Sequence, residues 1–84
     1  MNYSVVLSRS ARKQLECLSS EIEIRIMAKI SELEDTPRPP GCKKLQNRDA
    51  WRIRVGDYRI IYEIHDKILH VIVVTVGHRR DVYR

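Results

Sequence analysis

Arg52 and Arg54 stand two residues apart in the segment DAWRIRV, and Arg59 follows in YRIIYEI. Near the C-terminus, Gly77-His78-Arg79-Arg80-Asp81-Val82-Tyr83-Arg84 adds three more arginines, a histidine and a tyrosine. A guanidinium is a planar, permanently charged fork that matches phosphate oxygens, so this set points to an anionic partner. Sixteen Lys and Arg oppose eleven Asp and Glu, giving a net charge of +5, and a basic balance of this kind suits nucleic acid or an acidic protein. Lys43 and Lys44 extend the candidate phosphate contacts. His65, His70 and His78 show no zinc spacing and no accompanying Cys pair, so no metal and no cofactor is expected. Cys17 and Cys42 lack a CxxC arrangement, and two reduced cysteines are the expectation.

These residues need elements to hold them. With 84 residues the chain makes one domain, 1–84, with a thin core. The longest purely apolar run is Val71–Val74, too short to span a membrane, and Met1–Ser4 carries no secretory signal pattern. Tyr3–Leu7 (YSVVL) reads as a first strand. Ala11, Leu15 and Leu18 make one helical stripe after a capping Ser8, and Ile22, Ile26, Ile30 and Leu33 make a second after a Ser20–Glu23 capping box. The connection Thr36–Gly41 (TPRPPG) can be neither helix nor central strand. Asp49–Val55 alternates strictly, with Trp51, Ile53 and Val55 on a core face and Arg52 and Arg54 on the other. Gly56-Asp57 is a two-residue hairpin signal, Tyr58–Ile64 the return strand, and Ile68–Val76 a last strand after a turn at His65–Lys67. The fold class is α+β: an antiparallel meander on an N-terminal helical hairpin, in the order βααβββ.

That hairpin register sets Arg54 opposite Arg59, with Arg52 diagonal to it, on a face read as solvated. Like charges facing each other across a ladder cost roughly 0.2–1 kcal/mol. Folding does not ask for them, so a phosphate-binding face is the stronger reading. Neutralisation by Glu63, Asp49 or a C-terminal acid is the structural alternative. Trp51 is expected in the core, and His65 and His70 are read as structural.

Tyr58-Arg59-Ile60-Ile61-Tyr62, then Val74-Thr75-Val76-Gly77-His78-Arg79-Arg80-Asp81-Val82-Tyr83, resembles the RelE/ParE superfamily of bacterial and archaeal toxins. The helical hairpin, the proline-rich connection and the Arg52–Arg54 strand fit as well, so the resemblance covers almost the whole chain. It implies the toxin of a type II toxin–antitoxin pair, acting in the cytoplasm. In the RelE-like branch that means a metal-independent endoribonuclease cutting messenger RNA on the ribosome and inhibiting translation. Partners would be a cognate antitoxin, in a hetero-oligomer, together with ribosome and message. Arg59, Arg79 and Tyr83 fall on catalytic positions and Arg52 and Arg54 on the family's basic strand, while Lys43, Lys44 and Arg80 are further candidate RNA-binding residues. The type member carries Lys where this chain has Arg on the basic strand, and Arg does not act as a base. His78 then becomes the candidate general base, because an unperturbed imidazole titrates at about 6.5. A strand-end histidine bonded to backbone is its equally weighted alternative. Tyr83 would protonate the leaving oxygen or stack on a base, and otherwise packs the tail on the sheet. Two other readings stay open on the same fold: a ParE-like gyrase inhibitor acting by protein binding, and a nucleic-acid-binding module without catalysis.

Overall fold

The structure, a computed structural model, describes residues 2–78. Strand β1 (Ser4–Leu7) leads into helices α1 (Arg9–Glu16) and α2 (Ser20–Glu32). The strands β2 (Lys43–Lys44), β3 (Trp51–Val55), β4 (Tyr58–His65) and β5 (His70–His78) follow. They form one five-stranded sheet in the order β1-β5-β4-β3-β2. This is the expected α+β arrangement with two differences. The sheet is mixed, because β1 lies parallel to β5, pairing Val5 with Val71 and Leu7 with Val73. Val5 and Leu7 thereby join the apolar side of β5. A short edge strand, β2, also pairs Lys43 with Arg52 and Lys44 with Trp51.

Local chemistry explains most boundaries. The Ser8 hydroxyl accepts from Ala11 N at 3.0 Å and starts α1. The cap of α2 is Ser19, accepting from Ile22 N at 3.5 Å, rather than the expected Ser20, which becomes the first helical residue. Glu21 and Glu23 in the first turn and Lys29 in the last complement the helix dipole. Gly56 adopts φ +59° at the first turn position, which suits a two-residue hairpin and gives the expected pairing of Val55 with Tyr58. β5 begins at His70 rather than Ile68 because Asp66–Ile68 forms a 3₁₀ turn that ends with Leu69 at φ +54°. The carbonyl of Leu69 accepts from Ser4 N at 2.8 Å, so β1 secures that turn.

The core lies between the helices and one face of the sheet. Ala11, Leu15, Ile26, Ile30 and Leu33 pack on Ile53, Ile60, Tyr62, Val71, Val73 and Val76. Tyr62 is fully buried, and its hydroxyl donates to Pro37 O at 2.8 Å. Burial, with the Cys42 thiol beside it, pushes that hydroxyl well above the usual tyrosine value. The next residue, Arg38, lies over the Trp51 ring, 5.1 Å from its centroid, and donates to Asp66 Oδ2 at 3.0 Å. Tyr3 donates its hydroxyl to the same carboxylate at 2.7 Å. The proline-rich connection is thus pinned at consecutive residues before it delivers β2 to the sheet edge.

Tyr62→Phe should lower stability by about 1–3 kcal/mol in urea unfolding, because it leaves the Pro37 carbonyl without its donor. Asp66 offers a second check. The Arg38 guanidinium, then the Tyr3 hydroxyl, hold its carboxyl below the ordinary 3.8. Its contribution to stability is therefore present above that value and is lost as pH falls through the lower folded value. A carboxyl NMR titration should show the depressed midpoint, returning towards 3.8 in Arg38→Ala.

Candidate nucleic-acid interface

Side chains opposite one another across a ladder share a face, so the register assigns every residue of the site. Ile53 pairs with Ile60 and Trp51 with Tyr62, and these face the helices. The alternate residues face away. Arg54 pairs with Arg59, and Arg59 pairs on its other side with Gly77. The neighbouring row runs from Lys43 to Arg52, Ile61 and Thr75 across four strands. Two adjacent rows of one sheet face therefore collect Lys43, Arg52, Arg54 and Arg59, at the end of β4 nearest the Gly56 turn.

The expected register and shared face are present, but the expected exposure is not. Arg54 is exposed and Arg52 half-buried, whereas Arg59 is only 6% exposed. The reason is position: β4 is the middle strand of the five, so a long side chain there lies among neighbours on both sides. Arg can accept this because its aliphatic stem packs while the guanidinium stays charged. Ile61 beside it is also buried, at 7%. Gly77, directly across from Arg59, contributes no side chain to the row.

Two of the acids considered as neutralising partners are engaged elsewhere, and the C-terminal acid lies outside the described residues. Glu63 meets His65 Nε2 at 3.0 Å, and Asp49 lies 3.6 Å from Lys44 Nζ. Lys44 is opposite Trp51, so its parity differs from that of Lys43 and Arg52. Both lysines still line a surface depression of about 350 Å³ with Leu45, Gln46 and Arg52 at the β2 edge.

His78 is not brought to the arginine face. Its ladder partner is Tyr58, which lies with Val55 on the helix side, and the two rings meet edge-to-face at 5.5 Å and 82°. A strand alternates with period two, so the residue after Gly77 must leave Arg59's face. Arg79, Arg80 and Tyr83 lie outside the described residues. Sequence reading missed the rung formed by Gly77 and the place of Lys43 beside Arg52. The first was recoverable from parity once β4 and β5 were aligned, whereas the second depends on a two-residue strand with no pattern of its own.

What the arrangement offers is charge at fixed positions on a face that no helix of the described residues covers: guanidiniums from two neighbouring strands, one buried in the sheet and one reaching into solvent. Arg54→Thr should remove the like-charge opposition and raise stability by roughly 0.2–1 kcal/mol. Denaturant unfolding in low and high salt checks this, with the gain shrinking at high salt as screening does the same work.

Comparison with known proteins supplies relatives. A family model described as the ParE toxin of the parDE type II toxin–antitoxin system matches residues 5–83. Toxin RelG of Mycobacterium tuberculosis is 34% identical over 90 residues, covering 100% of this chain and 99% of that protein. A RelE-like toxin protein of Escherichia coli is 31% identical over 87 residues, covering 99% of this chain and 92% of that one. Among solved structures, the archaeal RelE–RelB complex of Pyrococcus horikoshii superposes with a TM-score of 0.85 at 28% identity, covering 96% of this chain and 99% of that one.

Proposed function

The chain belongs to the RelE/ParE superfamily of toxins of toxin–antitoxin systems, and from that premise we propose that it is a ribosome-dependent endoribonuclease that cleaves messenger RNA and so inhibits translation. The observation that carries this reading is the Arg54–Arg59 rung with Arg52 and Lys43 beside it, on the face turned away from the helices. A ribose 2′-oxygen attacks the adjacent phosphorus: the O2′–P bond forms, the P–O5′ bond breaks, and a proton passes from the 2′-hydroxyl to solvent while another reaches the 5′-oxygen. The pentavalent transition state gains negative charge. Guanidiniums already fixed in a sheet stabilise that charge without reorganising. This chemistry needs no metal and no cofactor.

Arg59 is assigned charge stabilisation at the phosphate, with Arg79 as a second guanidinium. Arg52, Arg54, Lys43, Lys44 and Arg80 are assigned to the RNA backbone. His78 faces the other side of the sheet, so we assign it no proton transfer, and Tyr83 is left as the proposed donor to the leaving oxygen. The protein thus brings electrostatics and little acid–base machinery. Holding the 2′-oxygen in line is worth about 7–11 kcal/mol of a barrier, and the ribosome is the proposed source of that geometry. On this reading the toxin acts in the cytoplasm, where messages are translated. No helix among the described residues is long and apolar enough to cross a membrane. The solved RelE–RelB relative supports a cognate antitoxin as the protein partner.

The matching family model is described as a ParE toxin, which favours a second reading: inhibition of DNA gyrase by protein binding, without cleavage. One paired assay separates the two. Purified protein should create new 5′ ends on ribosome-bound message, few on naked RNA, and leave gyrase supercoiling untouched. Arg59→Met, which keeps aliphatic bulk, should cut the single-turnover rate by about 10²-fold or more with the fold intact. His78→Gln should keep the wild-type pH–rate profile. Blocked supercoiling without cleavage would establish the gyrase reading instead.

A further inference from the structure

Strand β1 is four residues long and its pairing with β5 ends at Leu7 and Val73. β5 continues to His78, so from Val74 onward its outer edge has no neighbouring strand among the described residues. A register irregularity falls at the same place: Ile61 pairs with Thr75 and Tyr62 with Val73, which leaves Val74 as a bulge. Helix α1 occupies the position that β1 vacates, and its side chains take over the ladder's work. The Ser8 hydroxyl donates to Val74 O at 2.9 Å, and Val76 N donates to Gln14 Oε1 at 2.7 Å.

We infer that Gln14 is a positioning residue for the arginine face, acting through β5. This rests on the RNA-cleavage reading above. Val76 is followed directly by Gly77, the backbone partner of Arg59, and then by His78 and the arginines beyond it. A strand end without an outer neighbour frays easily, and a glycine in it adds backbone freedom. Gln14 clamps the amide immediately before that glycine. It thereby fixes the Arg59–Gly77 rung. Gln14 is half-buried on α1 and well removed in sequence from every other member of the site.

The test compares Gln14→Leu, which has similar bulk and no acceptor, with Gln14→Glu, which keeps an acceptor oxygen at the same reach. Gln14→Leu should speed hydrogen exchange at the Val76 amide. It should slow single-turnover cleavage of ribosome-bound message by roughly 10- to 100-fold, the cost of a misplaced catalytic group, with KM for programmed ribosomes unchanged. Gln14→Glu should restore both exchange protection and rate. Gln14→Leu cutting at the wild-type rate, or Gln14→Glu failing while Val76 stays protected, would overturn the proposal. Should Gln14→Leu not fold, Gln14→Asp takes its place against Gln14→Glu, with the same charge and one methylene too few to reach Val76. If the wild-type protein cuts no message, the RNA reading fails by itself. Growth arrest by the same variants, read beside Val76 exchange, then decides the role of Gln14.

Discussion

The alternation along β4 is the constraint on which the rest of this structure depends. Ile60 and Tyr62 must face the helices, because they are the deepest apolar groups the sheet has to offer. Arg59 and Ile61 must therefore face away, and the tight turn at Gly56 commits Arg54 to the position beside Arg59. Slipping the register by one residue would place guanidiniums against Ile26 and Ile30 and turn the core outward, which no small domain survives. The charged face is thus locked by hydrophobic burial on its reverse. The repulsion it carries is small beside the transfer energy of the residues that hold it, each worth about 1.5–3 kcal/mol when fully buried.

How much of this could be read beforehand follows the range of the interactions. The two helical stripes, the β3–β4 hairpin and the Arg54–Arg59 opposition are set by neighbours in sequence, and period and turn chemistry exposed them. For the α2 cap the Ser20–Glu23 spacing points to Ser20, whereas its neighbour Ser19 takes the position, so a local signal between adjacent residues of the same type misleads by one residue. The parallel placement of β1 joins Val5 to Val71, and no local signal announces a partner that remote. Arg59's burial is a property of strand order, which the alternation of one hairpin does not contain. The reading of His78 as a base rests on its titration range and its closeness in sequence to the arginines, neither of which says which face it takes. The sheet instead sends Gly77 and His78 to opposite faces.

The same distinction applies to function. Membership of the superfamily rests on the whole chain, since the family match runs through residues 5–83. What the chain does to its target rests on a handful of side chains on one sheet face, and folds of this kind carry different activities on the same frame. Arg52 and Arg54 in place of lysine narrow the chemistry towards charge stabilisation, because neither can exchange a proton near neutral pH. A catalyst built in this way would depend on an outside agent for alignment. That is a physical reason for a nuclease to be inert until its substrate is held by something larger.

The two edges of the sheet carry a different consequence. One is β2, two residues long and made of Lys43 and Lys44; the other is β1, only four residues long. An open strand edge is a template on which a second chain can grow a sheet, and short strands and lysines are the usual protection against it. The lysines considered above for phosphate contact therefore also keep copies of this chain from joining edge to edge. Charge proposed to meet a polyanion would double as a safeguard against self-association, and replacing both lysines with apolar residues would expose the protein to aggregation before any question of activity arose.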